Sequence, residues 1–336
     1  MRIGIVGLGA VGALIAARLA RAGHDVSALA RGATLEAVRA HGVRVAERDA
    51  AGAAQQWSAA VTAESDPARL GPQDLVVIAV KAPALRAAAD AVPALLHAET
   101  IVLPAMNGVP WWLLEHAPPP LRGVRLRTVD ADGAIAARIP VERLLGGVVH
   151  WSAQCPEPGV VQRNFGNRLI LGEPGAATSV RLEAVARAFG QAGFEVEASA
   201  DIRREVWFKL WGNMTMNPVS AITGATADRI LDDALLARWC IDCMTEAAAV
   251  GERIGCPVPQ SAAERMQVTR QLGAFRTSML QDVEAGRVVE LDALVGAVRE
   301  IGERVGVPTP SIDALFGLAR LHARVRGLYP EAAPAA

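Results

Sequence analysis

The stretch Arg2-Ile3-Gly4-Ile5-Val6-Gly7-Leu8-Gly9-Ala10-Val11-Gly12 decides the fold. Arg2–Val6 is a short β-branched run, as found in a strand covered on both faces, and Val11–Ala22 behind it has helical spacing. Three glycines join the two. Gly7 permits the tight turn, Gly9 lets the backbone approach a pyrophosphate, and Gly12 allows the helix to pack closely on the strand. The helix N-terminus then offers unpaired N–H groups and a partial positive charge to phosphates. Gly7, Leu8, Gly9, Ala10, Val11 and Gly12 are therefore the candidate dinucleotide-binding loop. The bland alternative is a tight strand–helix turn without a ligand; the strand before and the helix after favour the nucleotide.

The end of the next strand, Asp25–Leu29, bears on which dinucleotide. Enzymes that take NAD place an acidic residue there to hold the ribose 2′-hydroxyl. Here the residues are Ala28-Leu29-Ala30-Arg31, with no acid, and Asp25 precedes the strand. Arg31 has the charge and fork geometry to clamp a 2′-phosphate, so the expected cofactor is NADP(H). The plain alternative is a solvent-facing arginine at the start of a loop.

Further along, Leu75–Val80 and Thr100–Leu103 read as buried strands, with a helical pattern at Leu85–Leu96 between them. This alternation implies α/β architecture with a doubly wound parallel sheet of Rossmann type. From about Val129 the texture changes. Gly147–Trp151 and Gly159–Gln162 look like strands joined by the turn Pro156–Gly159, and Arg168–Leu171 adds another, giving an antiparallel extension of the same sheet. A helix at Val180–Ala192 and a strand at Phe194–Ala198 close the domain. Beyond Asp201 nearly everything is helical: Ile202–Met216, Ala227–Ile254, Ser261–Leu272, Glu290–Val305 and Ser311–Val325. The expected organisation is a nucleotide-binding domain over 1–200, an all-helical substrate domain over 201–330, and a flexible tail over 331–336.

Composition narrows the function classes. The chain has 336 residues, enough for two domains, and carries 34 basic against 35 acidic side chains. That near balance argues against a nucleic-acid or anionic-lipid partner. Mean hydropathy is +0.25, but no apolar run is long enough to span a bilayer, and the N-terminus is too short and glycine-broken for a signal peptide. A cytoplasmic location is expected. Cys240 and Cys243 have redox-motif spacing inside a helical pattern without a second pair, so reduced, buried thiols are expected rather than a metal or redox centre. The six histidines show no metal-ligand spacing, and no metal is expected.

The chain has only two lysines, Lys81 and Lys209. Lys209, Asn213 and Asn217 recur at i, i+4, i+8. Each four-residue step advances a helix by about 40° beyond a full turn, so the three form one slowly drifting stripe. Trp207, Phe208, Leu210, Trp211 and Met214 surround them. A polar stripe on an otherwise apolar helix lines a cleft, or else satisfies nearby backbone groups. Pro218 is expected to end or kink this helix just after Asn217.

Taken together, these motifs resemble the ketopantoate reductase (2-dehydropantoate 2-reductase) family over nearly the whole chain. The resemblance is carried by Gly7–Gly12, Val80-Lys81-Ala82, Asn107-Gly108, Trp207–Leu210 with Asn213 and Asn217-Pro218, Ser278–Asp282 and Glu290-Leu291-Asp292. It implies a Rossmann domain followed by a helical domain, and NADPH-dependent reduction of 2-dehydropantoate to pantoate. By the same resemblance Lys209 is the general acid and Glu290 its acidic partner. Asn107, Asn213, Asn217 and Ser278 bind substrate, Ser278 towards its carboxylate. Lys81 and Asn107 lie on the cofactor side, and Arg31 meets the 2′-phosphate. A cation that can donate a proton suits a reaction that builds negative charge on a carbonyl oxygen. The expected partner is a small oxo acid, with no membrane or nucleic acid and a monomer or homodimer as the assembly.

One departure stands out. Trp111-Trp112 follows Asn107-Gly108-Val109-Pro110 where smaller residues are expected from the family. Facing a pocket, the indoles would reshape it and favour another 2-oxo or 3-hydroxy acid; packed beneath the nucleotide domain, they would not. A non-enzymatic NADP(H) sensor is the third reading. It would need the glycine loop but not Lys209, Asn213, Asn217, Ser278 and Glu290 together.

Overall fold

The computed structural model describes residues 1–48 and 52–331. The chain divides into two units: Met1–Met106 with Gly133–Glu205, and Asn107–Asp132 with the chain from Val206 onward. The expected tail lies, from residue 332, outside the described residues.

In the first unit, β1 (Arg2–Val6) runs into α1 (Ala10–Arg21), then β2 (Asp25–Leu29), α2 (Gly32–His41), β3 (Val43–Arg48), β4 (Ala54–Ala59) and β5 (Thr62–Glu64). They are followed by β6 (Leu75–Ile78), α3 (Leu85–Ala91), β7 (Ile101–Pro104), α4 (Ala134–Arg138), β8 (Gly146–Gln154), β9 (Val160–Gly172), α5 (Val180–Gln191) and β10 (Glu195–Ala198). Five strands form a parallel sheet in the order β5-β2-β1-β6-β7. Ile3 on β1 pairs with Val26 on one side and Leu75 on the other, and all three are buried. The chain winds outward from β1 in both directions, so the loop after β1 lies at the switch point where such sheets bind ligands.

The antiparallel strands expected to extend this sheet form a second one, in the order β10-β9-β3-β4 with β8 paired to β9. Its unforeseen members are β3 and β4, an antiparallel pair. Ala54–Ala59 is mostly exposed and lacks the alternation that marks a strand, which is why the sequence hides it. The two strands expected at Gly159–Gln162 and Arg168–Leu171 are one, β9. It continues through Gly166, whose positive φ of 77° and near contact with His150 mark an irregularity in its pairing with β8.

A buried charge cluster ties α1 to this second sheet. Glu47 on β3 accepts from Arg18 at 2.5 Å, from Arg163 at 2.8 Å and from the Trp57 indole at 3.1 Å. Burial alone would raise the Glu47 pKa, but these donors outweigh it and hold the carboxyl below its ordinary value.

The second unit is helical: α6 (Ile202–Thr223, from Val206 within this unit), α7 (Ala227–Asp232), α8 (Ala234–Arg253), α9 (Ala262–Arg270), α10 (Ser278–Glu284), α11 (Ala297–Val305) and α12 (Pro310–Arg324). A π-turn at Asp292–Gly296 leads into α11. Three expectations need correction. The helix expected over Ala227–Ile254 is two, because Asp233 accepts from the N–H groups of Leu235 and Leu236 and caps a new start. Ser278 opens a helix the sequence did not reveal. Pro218 does not end α6, which continues to Thr223. Met214 to Ala221 are all buried, and that packing offsets the hydrogen bond the proline ring removes.

Segment 107–132 is the larger surprise, since its position after β7 suggested the nucleotide domain. It is held within the second unit by hydrogen bonds. Val109 N donates to Ala293 O at 2.8 Å. The Glu300 carboxylate accepts from Arg127 N, Thr128 N and Thr128 Oγ1 at 2.9, 2.8 and 2.5 Å. Trp111 and Trp112 are buried here together with Leu113 and Leu114.

Cys240 and Cys243 lie on the buried face of α8, and burial raises both thiols, that of Cys240 to about 12. Cys155, by contrast, is exposed, and no described cysteine is in a disulfide. Among the described residues no helix is long and apolar enough to cross a membrane, and no cluster of side chains has a metal site's make-up.

Candidate active site

Each glycine of the first loop can be tested by the space around it. Gly7 has φ of 102°, and a Cβ there would lie 2.6 Å from Val80 Cγ1 and 2.9 Å from Ala79 O. At Gly12 a Cβ would fall 1.9 Å from Gly7 O, so only glycine lets α1 approach the turn. Gly9 is different. Its φ is −73°, which any residue adopts, and a Cβ there would meet nothing within 4 Å. The protein's own packing therefore does not require glycine at that position, and a side chain there would only fill the open space. No side chain caps the first turn of α1, whose N-cap is Gly9 itself, and no acidic residue stands in it. Open space above uncapped N–H groups fits a pyrophosphate.

Leu8, Ala10 and Val11 complete the turn into α1. Arg31 is exposed just past the end of β2, at the N-cap of α2, with no acidic residue from Ala28 to Arg31. Lys81 is exposed and directly follows Ala79 and Val80, the residues that face Gly7.

The second unit joins four of the other expected residues in two hydrogen bonds. Lys209 Nζ donates to Asn107 Oδ1 at 2.8 Å, across 102 positions of sequence. Burial lowers the Lys209 pKa from the ordinary lysine value to about 8, while the nearby Glu290 charge holds it up against a larger fall. Glu290 is itself buried, at 8% exposure. One and two turns further along α6 stand Asn213, half-buried, and Asn217, buried. Asn217 Nδ2 donates to Ser278 Oγ at 3.3 Å. Ser278 is exposed, in the first turn of α10, where the Thr277 hydroxyl accepts from Leu280 N and fixes the helix start.

The spacing of the stripe foretold its composition but not what it meets. Asn107 reaches Lys209 because Gly108, at φ of 88°, lies flat against the π-turn; a Cβ there would come within 2.7 Å of Ala293 Cβ. Neither Ala293 nor the π-turn carries a sequence signal. The nearest clue was the glycine after Asn107.

A Rossmann sheet with an open glycine loop at an uncapped helix start, and a helical unit that keeps one lysine desolvated beside a carboxylate, have the make-up of a nucleotide-dependent enzyme with an acid–base group. The ketopantoate reductase PanE/ApbA family model matches residues 3–175, and the model of that family's C-terminal part matches residues 201–323. A 2-dehydropantoate 2-reductase of Mesorhizobium japonicum is 42% identical over 98% of this chain and 100% of its own. Among solved structures, a ketopantoate reductase described as putative, from Ralstonia solanacearum, is 54% identical over 98% of this chain and 99% of its own, with a TM-score of 0.91. A 2-dehydropantoate 2-reductase from Geobacter metallireducens is 27% identical over 96% and 99% of the two chains, with a TM-score of 0.82. The chain belongs to the ketopantoate reductase family.

Proposed function

We propose that this protein reduces the keto group of 2-dehydropantoate to give pantoate, with NADPH as reductant. The observation that carries the reading is the Lys209 ammonium, desolvated to a pKa of about 8, bonded to Asn107 and supported by Glu290. When bound, the dinucleotide supplies a hydride to the carbonyl carbon. Lys209 supplies the proton that the carbonyl oxygen needs as it gains that electron pair. A pKa near the working pH makes it both present in the acid form and ready to give the proton up. Glu290 keeps the ammonium charged against its burial, and Asn107 aims it. Asn213 and Asn217 line the substrate's path along α6, and Ser278, oriented by Asn217, hydrogen-bonds the carboxylate. Gly7–Gly12 receive the pyrophosphate, Arg31 the adenosine 2′-phosphate, and Lys81 stands on the cofactor side.

The family match and a full-length relative at 42% identity support this substrate over another oxo acid. The burial of Trp111 and Trp112 among core leucines gives the alternative no support. Oxidation of NADPH dependent on 2-dehydropantoate tests the reading. Lys209→Ala, with its fold checked by circular dichroism, is expected to lower kcat about 10²–10⁴-fold. Wild-type turnover of a different oxo acid with none of 2-dehydropantoate overturns the substrate. A Lys209→Ala variant as fast as the wild type overturns the mechanism.

A further inference from the structure

The chain has one tyrosine, Tyr329, and it lies beyond the last helix. Its hydroxyl donates to Asp292 Oδ1 at 2.6 Å. Asp292 opens the π-turn two residues after Glu290. The contact is one of a set. Val289 N donates to Leu328 O at 3.1 Å, and Leu328, buried, folds back so that its own N–H donates to Ala323 O at 2.8 Å. Arg324 Nε donates to Pro330 O at 2.9 Å, and its guanidinium carbon stands 5.4 Å from the centre of the Tyr329 ring. The residues Leu328 to Pro330 are thus fastened on both sides of Glu290, to the Val289 backbone before it and to the Asp292 carboxylate after it.

The same π-turn also reaches the site through segment 107–132. A π-turn carries one residue more than an α-helical turn, and the widening reorganises which carbonyls point outward. Ala293 O accepts from Val109 N, and Gly108 lies against Ala293. Asn107, the next residue back, is the partner of Lys209. Glu290 and Asn107, two groups that act on the Lys209 ammonium, are therefore set from one five-residue turn.

We infer that the Tyr329–Asp292 hydrogen bond is a positioning device: it fixes the π-turn, and the π-turn holds Glu290 and Asn107 against Lys209. The inference rests on the reading of Lys209 as proton donor given above. Tyr329 is a positioning residue and need not touch substrate. The pair is chemically suited to the task. Burial, and then the Asp292 carboxylate, push the phenol's pKa up, so it remains a donor over the whole working range. The charged groups acting on the pair are the guanidinium groups of Arg320 and Arg324.

Two variants and two readouts test this. Tyr329→Phe removes only the hydroxyl, and Asp292→Asn keeps an acceptor for it. Because the chain has two lysines, 15N-lysine labelling lets the Lys209 ammonium be titrated by NMR without any turnover. Tyr329→Phe is expected to lower kcat about ten-fold with KM for NADPH unchanged, the signature of a misplaced reacting group. It is also expected to move the Lys209 titration downward from about 8, as Glu290 drifts away. Asp292→Asn keeps most of the rate. Wild-type kcat in Tyr329→Phe with an unmoved Lys209 titration overturns the inference, even if the melting temperature falls. So does an Asp292→Asn variant impaired while Tyr329→Phe is not. Should the wild type reduce no oxo acid, the reductase reading fails, and the NMR titration alone then decides the positioning role: moved in Tyr329→Phe it stands, unmoved it falls.

Discussion

The glycine loop of the first unit and the lysine cluster of the second take their geometry from opposite sources. Gly7–Gly12 is local. Its shape follows from one strand, one helix and the crowding of Gly7 and Gly12 against Ala79, Val80 and each other, all in a single βαβ neighbourhood. The lysine cluster is not. Lys209 comes from α6, Asn107 from an irregular segment, Ser278 from the start of a short helix, and Glu290 from the residues leading into a π-turn. A local site tolerates distant change but can fail on one crowded methyl group; an assembled site fails also when its distant supports loosen.

That contrast can be broken most severely at Gly12. Gly12→Ala places a methyl group 1.9 Å from Gly7 O, and overpacking of this kind costs about 1–3 kcal/mol and displaces the loop. Loss of measurable NADPH binding by calorimetry is the expected result. Gly9→Ala is the control within the same loop. With nothing within 4 Å of its Cβ, it should change stability by no more than about 0.5 kcal/mol while still weakening the nucleotide. Equal stability losses in the two variants would erase the distinction between a glycine the protein needs and one the ligand needs.

The assembled site is expected to fail at a distance. Glu300 holds segment 107–132 by its hydrogen bonds to Arg127 and Thr128. Burial alone would raise its pKa, but the donors from Thr128, Arg304 and Arg127 outweigh it, and the carboxyl sits below its ordinary value. Its contribution to stability is therefore present above the ordinary carboxylate range and is lost as pH falls through the depressed value. Glu300→Ala is expected to cost about 2–3 kcal/mol in urea unfolding, and to lower kcat although Glu300 touches no reacting group. Unchanged kcat in the folded variant would separate the clamp from the site.

Arg31 sharpens the comparison most gently. Arg31→Ala should weaken NADPH binding about ten-fold and leave NADH binding unchanged, since only the 2′-phosphate contact is removed. An unchanged preference between the two nucleotides would remove Arg31 from the clamp.

How much was legible in the sequence follows the same division. β1, α1 and β2 could be read because their patterns are local, and the glycine turn between β1 and α1 with them. The stripe of Lys209, Asn213 and Asn217 could be read as a face because helical spacing is also local. What faced it could not. Nothing in Asn107–Asp132 has a period, so its capture by the π-turn left no trace in composition. Ser278 and Glu290 came only through the family resemblance, for one sits in a seven-residue helix and the other just ahead of a π-turn. The β3–β4 pair was missed because a mostly exposed strand needs no apolar alternation. Pro218 misled because burial overrode a rule about isolated helices.

The central claim is that the Lys209 ammonium delivers the proton, and the pH dependence of kcat for 2-dehydropantoate reduction tests it most directly. The donor must be protonated, so the rate is expected to fall as pH rises through about 8, and Lys209→Ala should lack that descent. A wild-type rate that stays level well above that point, or the same descent in Lys209→Ala, would contradict the claim.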